Sequence, residues 1–217
     1  MPPFFCWSKI FVVIFDTPTI FATFVVSKWL KMDFLLSFVN HNVNRQNRQN
    51  CKNMNINDKQ RILFVCLGNI CRSPAADGIM HHLVAEAGAE DRIFIDSAGT
   101  YAGHTGELPD PRMRAAASRR GYNLTHRARK IREEDFYDFD RIVVMDDYNY
   151  ENVHRLAPSR EYAEKIYRMS DFFTTFAARW SHVPDPYYEG AEGFELVLDM
   201  LEEGCRNLLA EMTAIEN

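Results

Sequence analysis

From residue 61 onward, apolar positions fall in short runs separated by longer stretches of helical spacing. Ile62-Leu63-Phe64-Val65 is continuous and branched, which predicts a fully buried strand over Arg61–Cys66. A helix follows over Ser73–Ala87. Pro74 suits its first turn, Ser73 is placed to cap it, and Gly88 ends it. Arg92–Asp96 reads as a second strand, stopped by Ser97-Ala98-Gly99. After the Gly- and Pro-rich loop Tyr101–Pro111 comes a helix over Pro111–Arg120, closed by Gly121, and then a helical turn at Glu133–Phe136. Arg141–Met145 reads as the third strand, with a helix from Asp146-Asp147 through Leu156. Lys165–Arg168 is a short fourth strand, Asp171–Ala178 reads as helical, and Val183–Gly190 is turn-rich. The chain ends in a long helix, Phe194–Met212, apolar at Phe194, Val197, Leu198, Leu201, Leu208 and Leu209.

Strands alternating with helices predict a single doubly wound α/β domain, its four-stranded parallel sheet covered by helices on both faces. Such sheets bind ligands beyond the carboxyl ends of their strands. Cys66, Ser97 and Asp146 all fall at such ends.

Residues 1–53 follow a different pattern. Ile10–Val26 is apolar but interrupted by Asp16 and Pro18. A carboxylate at mid-membrane costs about 2.5–3.5 kcal/mol, and the run is short, which reads against a span. Lys9 resembles the charged start of a signal peptide, but no small-x-small cleavage site follows Val26. Asn40–Asn57 is rich in Asn, Gln and Arg and reads as a tether. The expected organisation is an N-terminal extension over 1–53 without a folded role, and a domain over 54–217 opening at Met54.

The 217 residues suffice for a medium core, and the net charge of −5 supplies no basic surplus for nucleic acid. Cys6, Cys51, Cys66, Cys71 and Cys205 show neither a disulfide framework nor a metal spacing such as Cys-x2-Cys. A reducing, cytoplasmic setting fits them, and the reading calls for no metal and no cofactor. His81 and His82 read as one solvent-facing and one packed helix residue rather than as ligands.

The chemistry concentrates in Cys66-Leu67-Gly68-Asn69-Ile70-Cys71-Arg72-Ser73. It lies between a strand and a helix, where backbone N–H groups can form an anion-binding nest. Cys66 and Arg72, five residues apart, can bracket a tetrahedral oxyanion, with sulfur below and a guanidinium fork at the side. The helix dipole and Arg72 favour a thiolate, and a thiolate against a phosphate site is a nucleophile aimed at phosphorus.

Displacing an alkoxide or phenolate also requires a proton donor. Two aspartates sit between prolines, Asp110 in Pro109-Asp110-Pro111-Arg112 and Asp185 in Pro184-Asp185-Pro186-Tyr187-Tyr188. Their local chemistry leaves them tied.

The loop matches Cys-x-Gly-Asn-x-Cys-Arg-Ser at every fixed position and resembles the phosphate loop of the low-molecular-weight protein tyrosine phosphatases. The resemblance covers about residues 60–213 and implies a flavodoxin-like sheet. It implies Asp185 as the general acid and treats Asp110 and Arg112 as structural. It further implies that Asn69 is held by Ser73, Ser97 and His126, and that Asp146 orients Arg72. Asp146 can equally cap the helix that follows it. Tyr187 and Tyr188 would line the slot for an aromatic ring. Cys71 is the natural partner for a protective disulfide with Cys66. Where some relatives place an aromatic residue on the cleft rim, this chain has Ala102-Gly103, with Tyr101 nearby.

The implied activity is hydrolysis of phosphotyrosine, in proteins or small aryl phosphates, through a cysteinyl-phosphate intermediate. Two enzyme alternatives share the loop. Phosphoarginine phosphatases of the family carry Thr where this chain has Ile70. Arsenate reduction needs further cysteines to carry a disulfide outward. A non-catalytic phosphate-binding protein would need a lost residue, yet Cys66, Arg72 and Asp185 are all present.

Overall fold

The structure, a computed structural model, describes residues 59–214. The apolar run Ile10–Val26, the stretch Asn40–Asn57 and the expected domain start at Met54 lie outside the described residues.

The order is β1 (Gln60–Cys66), α1 (Arg72–Glu86), β2 (Ile93–Gly99), α2 (Pro111–Arg119), α3 (Asp135–Asp138), β3 (Arg141–Val144), α4 (Asp147–Leu156), α5 (Arg160–Ala163), β4 (Ile166–Arg168) and α6 (Ala191–Ala214). The sheet has four parallel strands ordered β2-β1-β3-β4. Its order reverses between β1 and β3, so the crevice for a ligand opens beyond the ends of those two strands. Cys66 ends β1, and Asp146 follows β3 two residues after its last member, Val144.

β1 is covered on both faces, and Ile62, Leu63, Phe64 and Val65 are all 0% exposed. Side chains alternate across a strand, so Ile62, Phe64 and Cys66 join one core cluster with Ile79 of α1, Met113 of α2 and Leu198 of α6. Leu63 and Val65 join the opposite cluster with Phe136 of α3, Val153 of α4 and Ala163 of α5. Each fully buried aliphatic or aromatic side chain contributes about 1.5–3 kcal/mol, which makes β1 the most strongly fixed platform for the loop it feeds. Among the described residues, no helix is long and apolar enough to cross a membrane.

Three expectations need correction, and one short helix had no expectation to match it. β2 does not stop at Asp96 but pairs with β1 through Gly99, opposite Cys66. Gly99 serves close approach rather than a break: an added Cβ would lie 2.6 Å from the Leu67 carbonyl oxygen and 3.0 Å from the Asn69 nitrogen. Asp171–Ala178 is not an α-helix. A 3-10 turn, Met169–Phe172, precedes irregular chain there, where Glu203 accepts the amides of Thr174 and Thr175. The short α5 has no periodic signal, because one turn is too short to show a period. Finally, His81 and His82 are both exposed on α1, and the His82 ring meets Tyr122 edge-on at 5.3 Å.

Candidate active site

The loop between β1 and α1 closes around Cys66. The Asn69 amide donates to Cys66 Sγ at 3.2 Å, and the Ser73 hydroxyl lies 3.0 Å from the same sulfur. Ser73 is not the cap of α1: Cys71 holds that position, without a side-chain hydrogen bond, and Ser73 sits in the first turn facing inward. Its oxygen accepts from Asn69 Nδ2 at 2.9 Å, and its one proton serves either Cys66 Sγ or the Ala98 carbonyl, 3.1 Å away.

Asn69 is in the left-handed region, with φ 56°, and its amide is fully used. Nδ2 donates to Ser73 Oγ and to Ser97 Oγ at 3.0 Å, while Oδ1 accepts from the Arg129 amide at 2.9 Å and faces His126 Nε2 at 3.1 Å. Asn accepts this backbone at low cost, and the side-chain bonds hold it there. The set implied by the resemblance, Ser73, Ser97 and His126, is thus gathered on Asn69. The Arg129 amide, which sequence reasoning missed, completes it. No side-chain signal marks a backbone donor in advance.

Arg72 is 3% exposed and carries the charge of the site. Nη1 donates to Asp146 Oδ2 at 2.6 Å and to the Val183 carbonyl at 3.2 Å, and Nη2 donates to Asp185 Oδ2 at 2.8 Å. Burial alone would lower its pKa, but Cys66, Asp185 and Asp146 reverse the effect and raise it. Asp146 does both jobs open to it in sequence. Oδ1 caps α4 by accepting from the Asn149 amide at 2.7 Å, leaving Oδ2 for Arg72.

Asp185 reaches the site because its loop is tied to the sheet: the Val183 amide donates to the Met145 carbonyl at 2.8 Å. Its side chain is 42% exposed, and Oδ1 accepts from the Tyr187 amide at 3.2 Å at the start of the 3-10 turn Pro186–Tyr188. Asp110 is 8% exposed, and although its amide donates to the Ile70 carbonyl at 2.7 Å, its carboxyl is turned to Arg112 and does not line the cavity around Cys66. It caps α2 through the Arg112 amide and binds the Arg112 guanidinium with both oxygens, at 3.0 and 2.8 Å. Those hydrogen bonds hold its carboxyl below the usual carboxylate range.

Cys66, Arg72 and Asp185 meet in a cavity of about 230 Å³, whose wall includes Leu67, Gly68, Ile70 and Cys71. Tyr187 and Tyr188 line it as well, ring centroids 5.0 Å apart and nearly perpendicular. So do Tyr101 and His104, in edge contact at 6.2 Å, so the cavity wall does carry this aromatic residue despite Ala102-Gly103. Cys71 and Cys205 are buried thiols, and burial pushes both up, which disfavours either as an attacking thiolate.

A buried arginine and a donor-supported cysteine share one strand-to-helix loop at the switch point of a doubly wound sheet. The family model for low molecular weight phosphotyrosine protein phosphatases matches residues 61–216. The chain belongs to this family. It is 40% identical over 150 residues to the low molecular weight protein-tyrosine-phosphatase of Streptomyces coelicolor, covering 69% of this chain and 92% of that one. The Schizosaccharomyces pombe low molecular weight phosphotyrosine protein phosphatase is 42% identical over 150 residues, 69% of this chain and 94% of its own. Among solved structures, a protein tyrosine phosphatase from Entamoeba histolytica with Hepes in its active site superposes with a TM-score of 0.70. It has 40% identity and covers 73% of this chain and all of its own.

Proposed function

We propose that this enzyme hydrolyses phosphotyrosine, in proteins or small aryl phosphates, by cysteine-based phosphoryl transfer in the cytoplasm. The observation that carries the reading is the meeting of Cys66 Sγ, the buried Arg72 fork and the exposed Asp185 carboxyl in one cavity. Cys66 attacks phosphorus in line with the leaving oxygen. Arg72 and the loop amides hold the equatorial oxygens. An oxyanion in the loop competes with Asp185 for Arg72 Nη2, which frees the carboxylate to take a proton from solvent and pass it to the leaving phenolate. Asp185 then activates the water that releases phosphate from sulfur. Turnover of an aryl phosphate by the wild type, and phosphate binding without turnover by Cys66→Ser, is the expected pair of results. Robust turnover by Cys66→Ser overturns the assignment.

Ile70 favours the phenyl ester over phosphoarginine. It is 9% exposed and lines the cavity. A phosphorylated guanidinium entering there finds no partner on this side chain, and an unpaired polar group costs about 1–3 kcal/mol. A phenyl ring gains from the same wall. One structural neighbour, at 31% identity and TM-score 0.64, is a Drosophila arginine phosphatase. The ratio of kcat/KM for phosphotyrosine and phosphoarginine peptides should favour phosphotyrosine and move toward phosphoarginine in Ile70→Thr. An unchanged ratio removes Ile70 as the gate. Arsenate reduction is disfavoured because Cys205 is fully buried against the Ala76 carbonyl and outside the cavity.

A further inference from the structure

Once an oxyanion takes Arg72 Nη2, Asp185 loses the cation that holds it in the free enzyme, and its aim depends on the turn that carries it. That turn is unevenly held. Val183 is tied to Met145 and Pro186 is buried, but residues 187–192 are all exposed. Tyr187 links this exposed half to the chemistry, because its amide holds Asp185 Oδ1 at 3.2 Å and its ring lines the cavity. Tyr188 packs edge-on against that ring at 5.0 Å but is 94% exposed, so it gives no anchorage to the core.

The anchor for Tyr187 comes from α2. The Arg112 guanidinium carbon lies 5.1 Å from the Tyr187 ring centroid and 4.9 Å from that of Phe194, which is 2% exposed near the start of α6. A guanidinium is attracted to a ring face within roughly 6 Å of its centroid. This one is not free to swing away, because Nε and Nη2 donate to the two oxygens of Asp110 at 3.0 and 2.8 Å. Asp110 is fixed in turn by its burial and by its amide, which donates to the Ile70 carbonyl at 2.7 Å. Ile70 belongs to the phosphate loop. A chain of contacts therefore runs from that loop through Asp110, Arg112 and Tyr187 to the Asp185 carboxylate. Arg112 itself does not line the cavity around Cys66, so it reaches the reaction only through this chain.

We propose that Arg112 is a positioning residue for the general acid. It clamps the Tyr187 ring and keeps Asp185 in register with the phosphate loop after substrate has displaced it from Arg72. The proposal rests on Asp185 being the general acid, as argued above. A guanidinium suits the task because its edge grips a carboxylate while its face meets a ring, which an ammonium does not do at once.

The test is kcat/KM on phenyl phosphate and on an activated nitrophenyl ester, a quantity that covers the steps up to the cysteinyl phosphate. Arg112→Met keeps the length of the stem and removes the fork. It should lower kcat/KM for phenyl phosphate by about two- to fivefold, the scale of one exposed cation–π contact, and leave the activated ester and vanadate affinity unchanged. In an Asp185→Asn background the same substitution should have no effect, because no acid is left to aim. Tyr187→Leu removes the contact from the other side and leaves the Arg112–Asp110 pair whole, so it reads the same link even where Arg112→Met folds poorly. Its loss on phenyl phosphate should exceed its loss on the activated ester by the same factor, and adding Arg112→Met should not widen that ratio. Equal losses on the two esters in Arg112→Met, a loss that persists in the Asp185→Asn background, or a wider ratio in the double variant overturns the proposal. If Asp185→Asn alone loses equally on both esters, the general acid is misassigned and the proposal falls with it.

Discussion

Asp110 and Asp185 begin from nearly the same local sequence, an aspartate between prolines followed by a helical turn, and end in opposite conditions. Asp110 is 8% exposed, chelated by Arg112, and spent on capping α2. Asp185 has a side chain 42% exposed and spends one oxygen on its own turn and the other on Arg72. Proline framing sets the backbone angle in both places but says nothing of what lies across from the carboxyl. A group already satisfied by a fixed cation has no proton to give. On the mechanism proposed above, a group held by a cation that the substrate also wants is released when the substrate arrives.

The largest effect that bears on this contrast sets its floor. Cys66→Ser should lower kcat by about 10⁴–10⁶-fold, the scale of nucleophile deletion in other hydrolases, while vanadate or phosphate still binds in a titration. Next, Asp185→Asn should lower kcat on phenyl phosphate by about 10²–10⁴-fold and much less on an activated aryl ester, whose leaving group needs no proton. Tm should be nearly unchanged. Equal losses on both esters would exchange the roles of the two aspartates.

Asp110→Ala should behave in the reverse manner. Loss of the cap predicts about 0.5–2 kcal/mol of destabilisation, read as a lower Tm, with kcat changed only a few-fold. The pH dependence has a definite sign. Hydrogen bonds from Arg112 depress the folded-state pKa of Asp110. Its contribution is therefore full above the unfolded value, near 3.9, and is lost as pH falls through the depressed one. The Tm gap between wild type and Asp110→Ala should be widest near neutrality and close in acid. The smallest effect concerns neither turn: a chain beginning at Met54 should keep the wild-type kcat and Tm, measured side by side. A large fall in either would give residues 1–53 a folded role.

Part of the site is legible in the sequence alone. β1, the loop Cys66–Ser73 and the start of α1 are contiguous, and their chemistry depends on spacing along one piece of chain. A strand end, a glycine, an asparagine able to take positive φ, and an arginine five residues on suffice to place sulfur and guanidinium around one anion. The alternation of elements likewise carries the sheet class, because buried parallel strands and amphipathic helices leave periods in sequence.

Other features rest on separations that no local pattern reports. Ser73 has the sequence of a cap because serine before proline often is one, yet the turn faces it toward Cys66 and Ala98. Ser97-Ala98-Gly99 has the composition of a break, because small residues weaken strands when nothing packs on them. Here the loop backbone packs on Gly99 and needs the missing Cβ. Tyr101 and His104 line the cavity, which the adjacent small residues conceal. The resemblance favours Asp185, but the physical reason lies in the fold. The Val183 amide reaches the Met145 carbonyl, and Arg72 waits 113 residues upstream of its partner. Sequence determines what each short segment can do. Tertiary structure decides which charges face one another, because that depends on strand order and burial, which only the closed sheet sets.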